Sequence, residues 1–196
     1  MKQLKMRITA TDKSEPELPA GFIVRAADDS SVADRQAWVD ICKNGLLPEN
    51  ADIQMYEDVL IKHEGYKAGD TFFVINTSDR RPVATVTTIC LPGNEGYVHM
   101  VAAREEARGK GIGNFLSDFA VYNLICQGRT NIWLTTDDFR VSAIRSYLRS
   151  GFRPVDCDTD MEERWLAWVE KYGYNDVEFL DEKGTVIKYL NNKPRK

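Results

Sequence analysis

Apolar positions alternate with two distinct periods along this chain, and the switches between them outline its elements. Gly21 to Ala27 begins as a strand, Phe22-Ile23-Val24 giving it β-branched and aromatic bulk. Trp38, Ile41 and Cys42 then fall on one side of a helix over Asp34 to Asn44, with the Asn44-Gly45 pair at its end. A second helix is predicted from about Ala51 to His63, carrying Ile53, Tyr56, Val59 and Leu60 and stopped by Gly65. Three β-rich runs follow: Thr71 to Asn76, Val83 to Leu91 and Tyr97 to Ala103, joined by the turns Asp79-Arg80-Arg81-Pro82 and Pro92 to Gly96. These connections are too short for parallel crossovers, so the three runs form an antiparallel meander.

Helical spacing returns with Ile112, Leu116, Phe119, Ala120 and Leu124, closed by Gly128. Ile132 to Thr135 is a short strand; because a helix separates it from the Tyr97 strand, those two strands should run parallel. Ala143, Ile144, Tyr147 and Leu148 share the face of a further helix, Gly151 sits at its C-cap, and Phe152 opens another strand. Met161 to Tyr172 reads as an amphipathic helix, and Val177 to Leu190 as a hairpin around Asp181-Glu182-Lys183-Gly184. Residues 1–20 are polar, with Pro16 and Pro19, and are expected to form an arm or a weak edge strand.

Composition narrows the class without changing this picture. A chain of 196 residues, 43% hydrophobic and 29% charged, can bury a substantial core as one domain. The 26 basic and 30 acidic residues leave a net charge of -4, which provides no general attraction to nucleic acid or an anionic membrane. Cys42, Cys90, Cys126 and Cys157 form no Cys-x-x-Cys pair and read as reduced thiols of a cytoplasmic protein rather than metal ligands. No run approaches the roughly 18 apolar residues of a membrane span, and Met1 to Ala10 lacks an apolar h-region.

The chemistry concentrates at Arg108-Gly109-Lys110-Gly111-Ile112-Gly113, between the Tyr97 strand and the Ile112 helix. Strand, glycine-rich turn and helix together aim several backbone N–H groups and the positive end of a helix dipole at one point, a cradle for phosphate or pyrophosphate. Arg108 and Lys110 add charge, while the glycines keep side chains away.

Arg108, Gly111 and Gly113, followed by Ala143-Ile144, Tyr147 and Gly151-Phe152, resemble the paired motifs of the GNAT superfamily of acyl-CoA N-acyltransferases. The resemblance covers roughly residues 21–155. It implies a mixed α/β (α+β) fold, with a mostly antiparallel central sheet flanked by helices. Residues 1–20 would then be an arm, 21–155 the acetyltransferase core, and 156–196 a C-terminal helix and β-hairpin extension packed on the same domain. It further implies acetyl-CoA as acyl donor, no metal, and a small-molecule or protein amine as acceptor, with the oligomeric state left open.

By the same resemblance, the pantetheine arm pairs with backbone at Val101 and Ala103 where the strand splays from its parallel neighbour. The pyrophosphate rests on Gly109, Lys110, Gly111, Ile112, Gly113 and Asn114, beside Arg108. Tyr147 stands at the position of the superfamily's usual general acid, though a helix face also carries tyrosines simply to pack. His99 is the candidate base, with an ordinary imidazole pKa of about 6.5; the alternative is a buried histidine satisfied by backbone. Glu95, at the same strand parity, is the fallback.

Many superfamily members have Asn where this chain has Arg140, which is left to reach a phosphate or carboxylate or to remain solvated. His63 is expected to be solvated. The acidic group from Asp156 to Glu163 either attracts a cationic amine or dresses a helix N-terminus, and Trp165 and Trp168 read as packing residues. Two readings from other classes stand beside transfer: a non-catalytic acyl-CoA-binding module, and an interaction domain pairing through an exposed hairpin edge.

Overall fold

The computed structural model describes residues 2–192. Met1 and residues 193–196, which fall in the expected arm and the expected extension, lie outside the described residues. The elements are β1 (Leu4–Thr9), β2 (Phe22–Ala26), α1 (Val32–Cys42), α2 (Gln54–Tyr56) running into a π-helical turn (Glu57–Ile61), β3 (Thr71–Asn76), β4 (Pro82–Cys90) and β5 (Glu95–Ala103). There follow α3 (Ile112–Cys126), β6 (Asn131–Thr136), α4 (Val141–Ser150), β7 (Arg153–Pro154), α5 (Met161–Lys171), β8 (Val177–Leu180) and β9 (Val186–Leu190).

Seven strands form one mixed sheet in the order β2-β3-β4-β5-β6-β1-β7, and β8-β9 is a separate hairpin sheet. Every pairing in the large sheet is antiparallel except β5 with β6, the pair joined through α3. This is the GNAT fold expected above, a mostly antiparallel sheet flanked by helices with a C-terminal hairpin.

The expected arm needs correction. Residues 4–9 form β1, which sits inside the sheet between β6 and β7, in register from Leu4 with Thr136 to Thr9 with Asn131. Leu4 and Met6 are fully buried, while the intervening Lys5 and Arg7 carry polar ends to the other face. The period-two pattern of a strand was present in Leu4, Met6 and Ile8, but the polarity of their neighbours masked it.

Each face of the sheet has its own apolar cluster. Val98, Ile132, Leu134, Leu4 and Met6 pack with Leu116, Ala120 and Leu124 of α3, Ile144 of α4 and Trp165 of α5. Trp165 and Trp168 are buried there, as packing residues. On the opposite face Phe73, Ile75 and Ala102 pack with Trp38, Ile41, Tyr56 and Leu60. Among the described residues, no helix is long and apolar enough to cross a membrane.

Two features of β5 position the site. Its register against β4 shifts between the Thr87–His99 and Thr85–Ala102 pairs, leaving one extra residue in β5. Met100 there adopts the left-handed φ of 52°, a β-bulge in a residue without glycine's freedom. On the other side, pairing with β6 runs only from Glu95 with Asn131 to Tyr97 with Trp133. Beyond Tyr97 the two parallel strands part, and His99, Met100 and Val101 line the cavity left there.

Candidate active site

The glycine turn stands at the N-terminus of α3. After a 3₁₀ turn at Glu105–Ala107, Gly109 and Gly111 take left-handed φ values of 73° and 80°, and Gly111 caps the N-terminus of α3. A side chain at either would be strained, which is why glycine occupies both. Gly113 has ordinary helical geometry, and a Cβ built there meets no atom within 4 Å, so its front is open space. Ile112 is 1% exposed and turns its side chain into the core; only its backbone is available to a ligand. Arg108 is exposed, ion-paired to Glu105 and hydrogen-bonded to Asn44 Oδ1 at 3.2 Å. Lys110 extends over the ring of Phe22.

From this turn an open groove of about 680 Å³ runs along α4, lined by Asn114, Arg140, Arg145, Ser146, Arg149 and Tyr174. Arg145 and Arg149 were not singled out from the sequence, because outward arginines on an amphipathic helix look like solvated surface. Arg140 is held by Asp137 at 3.1 Å and by the Gly45 carbonyl, and its side chain is largely buried rather than solvated.

Arg140 also borders a second, smaller cavity of about 90 Å³ at the parting of β5 and β6, with Tyr97, His99, Val101, Thr135 and Tyr147. Here the two sequence-predicted catalytic candidates meet: His99 from the strand beyond the splay and Tyr147 from the inner face of α4. Tyr147 is 6% exposed, and burial pushes its phenol up to about 12, with Arg140 pulling the other way. It therefore carries its proton at neutral pH, as a general acid must.

His99 is shifted in the opposite sense. Burial first, then the neighbouring His63, bring its imidazole down to about 4, so it is neutral at physiological pH. His63 is not simply solvated: its ring lies 5.0 Å from that of His99 and 5.5 Å from that of Tyr97. The Nδ1 of His99 is 3.1 Å from the Tyr97 hydroxyl. Its Nε2 is buried with no hydrogen-bond partner among the described residues, and the Val59 backbone pulls the imidazole pKa the other way, upward. Tyr97, held by a 4.2 Å ring stack on Trp133, was read from the sequence only as a strand residue.

Other candidates stand elsewhere. Glu95 shares the parity of His99 but accepts from Arg7 at 2.9 Å, well back along the paired part of β5. The Ala103 carbonyl accepts a 2.7 Å hydrogen bond from Asn44 Nδ2, so the loop after α1 reaches the splayed strand. The acidic group is largely engaged with basic side chains: Asp158 with Lys2, Asp160 with Arg164 and Glu162 with Lys188. Among the described residues, no group of three or more His, Cys, Asp or Glu is placed to hold a metal ion.

A mixed sheet opened between two parallel strands, beside a glycine turn at a helix N-terminus, defines the GNAT class of fold. The model of the acetyltransferase (GNAT) family matches residues 36–152, and the chain belongs to that family. It is similar to mycothiol acetyltransferases of Streptomyces griseus subsp. griseus (24% identity, covering 81% of this chain and 52% of the relative) and Streptomyces scabiei (26%, 84% and 53%). The chain thus spans about half the length of these curated relatives. A GCN5-related N-acetyltransferase from Sphaerobacter thermophilus shares the fold, with a TM-score of 0.65 at 18% identity over 79% of this chain and 49% of that one.

Proposed function

We propose that this chain transfers an acetyl group from acetyl-CoA to a primary amine, on a small molecule or a protein, by direct attack of the amine on the thioester. The observation that carries this reading is the convergence of His99 and Tyr147 on one cavity at the parting of β5 and β6, next to the glycine turn. The donor's pyrophosphate fits the N–H groups of Gly109 to Gly113 and Asn114, and Arg145 and Arg149 supply positive charge along the adjoining groove. Backbone at Val101 and Ala103 is the place for the pantetheine arm; at Ala103 the carbonyl is shared with Asn44.

The donor brings an activated acyl carbon, and the chain's residues do the rest. His99, neutral at pH 7, provides the basic end for the amine proton. Tyr147, protonated, gives its proton to the departing thiolate. The four free cysteines agree with work in the cytoplasm. The curated relatives' name makes a mycothiol-type acceptor one member of the amine panel to be tried.

A thermal shift with acetyl-CoA tests the donor half: saturating donor is expected to raise Tm, and an unchanged Tm overturns it. Thiol release in the presence of an amine panel tests transfer. A raised Tm without thiol release would leave the acyl-CoA-binding module as the correct reading. Tyr147→Phe is expected to lower kcat by at least about 100-fold with donor Kd nearly unchanged; an unaltered kcat removes the acid role.

A further inference from the structure

The contacts of His99 raise a specific problem for its role as base. An imidazole that takes a proton directly from an amine needs a nitrogen lone pair open to the cavity. Neither nitrogen of His99 offers one. Nδ1 faces the Tyr97 hydroxyl at 3.1 Å, and Nε2 is buried. With Nε2 carrying the hydrogen, Nδ1 is the acceptor and the Tyr97 O–H is the donor. That polarity leaves the Tyr97 oxygen as an acceptor, with the Thr135 side chain also hydrogen-bonded to it and one lone pair left for the amine, in a side chain that lines the same cavity as Tyr147.

We propose that Tyr97 is a catalytic residue: its hydroxyl oxygen takes the proton of the acceptor amine while its own proton passes to His99 Nδ1. This rests on the acetyl-transfer reading above. The step balances. The amine nitrogen forms the C–N bond to the acyl carbon and loses one proton to Tyr97 as Tyr97 gives one to His99. The C–S bond breaks, and the thiolate sulfur receives the proton of Tyr147. His99 ends one proton richer and Tyr147 one poorer, and exchange through solvent resets both.

The surroundings suit such a relay. The ring of Tyr97 is clamped on Trp133 at 4.2 Å, and Lys5 covers that indole at 4.9 Å, so the phenol has a fixed direction. The Thr135 hydroxyl, which donates to Gln3 Oε1 at 2.8 Å, borders the cavity beside Tyr97. Titratable and charged groups reach the Tyr97–His99 pair from several elements: His63 after the π-helical turn, Tyr147 from α4, and Arg140 just before it. Glu95 on the same strand is turned to Arg7.

The test is steady-state kinetics of the full chain with acetyl-CoA. The panel of primary amines comprises a free amino acid, a diamine, an amino sugar and a peptide N-terminus. Tyr97→Phe, which keeps the ring and its stack, is expected to lower kcat by at least about 100-fold while donor Kd stays within about twofold. Because a serial relay is broken equally by removing either member, Tyr97→Phe/His99→Gln should be no slower than the worse single variant. An unchanged kcat in Tyr97→Phe, or losses that multiply in the double variant, overturns the relay. If Tyr97→Phe does not fold, 3-fluorotyrosine at position 97 serves instead: its more acidic phenol should shift the pH profile of kcat, and an unshifted profile overturns the proposal. Failure of the underlying reading looks different, since the unmodified chain would then release no thiol with any amine.

Discussion

The hydroxyl of Ser146 on α4 lies 2.9 Å from the carbonyl of Gly113, in the first turn of α3. It is also 3.0 Å from Asn114 Oδ1 and 3.0 Å from the Ser117 hydroxyl, which reaches the same Gly113 carbonyl. One buried knot therefore ties the helix that carries Tyr147 to the helix whose N-terminus forms the glycine cradle. The relative placement of the two halves of the site depends on it.

Ser146→Ala removes one member of this knot while Ser117 still serves the carbonyl. The expected cost is about 1 kcal/mol, a fall in Tm of about 2–4 °C for a chain of this size. Differential scanning calorimetry checks it. A Tm equal to that of the parent would mean that the knot contributes nothing to holding α3 against α4.

Gly113→Ala separates stability from binding. Its backbone is already helical and a Cβ meets nothing within 4 Å, so alanine should stabilise the ligand-free chain by up to about 1 kcal/mol. That same Cβ enters the open front of the cradle and should weaken acetyl-CoA binding by about tenfold or more, read by titration calorimetry. Gly111→Ala, by contrast, forces alanine into a φ of 80° and should cost about 1–2 kcal/mol before any ligand is added. Unaltered donor affinity in Gly113→Ala would place the phosphates elsewhere.

The low His99 pKa predicts a pH dependence with a definite sign. An imidazole depressed from 6.5 to about 4 in the folded chain stabilises it fully above the unfolded value. That contribution is lost as pH falls from about 6.5 through about 4, where the unfolded chain binds the proton and the folded one resists it. A depression of this size corresponds to something on the order of 3 kcal/mol. Asp34 and Asp138, held low by Arg25 and Arg164, also weaken in acid, so the informative quantity is a difference. Urea unfolding at several pH values should show a shallower loss between pH 6.5 and 4 for His99→Gln than for the parent; parallel curves would contradict a depressed His99.

Glu95→Ala distinguishes a structural carboxylate from a base. Arg7, whose side chain is 8% exposed, would lose its ionic partner and keep only the Glu182 carbonyl at 2.9 Å. The expected result is destabilisation of about 1–3 kcal/mol with kcat within about twofold of the parent under conditions where both are folded. A loss of kcat of about 100-fold at unchanged stability would make Glu95 the base after all.

What the sequence determined by itself was local, because the signals were local. The 3.6-residue spacing of Leu116, Ala120 and Leu124, the strained turn that needs Gly109 and Gly111, and the C-cap Gly151 are each written within a few neighbouring residues. The parallel pairing of β5 with β6 followed as well, since a helix lies between them.

Tertiary structure decided what depends on partners far away in the chain. Leu4 joins the sheet only because Thr136 offers an edge to it, and no local signal encodes a pairing across that separation. The bulge at Met100 goes with the register against β4, and His99 and Val101 on either side of it line the cavity at the splay. His99 itself was visible as a candidate, but its chemistry was not. Its neutral state comes from burial, reinforced by His63 just after the π-helical turn and opposed by the Val59 backbone, and its Nδ1 is engaged by Tyr97 two residues earlier, all brought together by packing. Residue type names the groups that can move a proton; burial and contact decide which of them does.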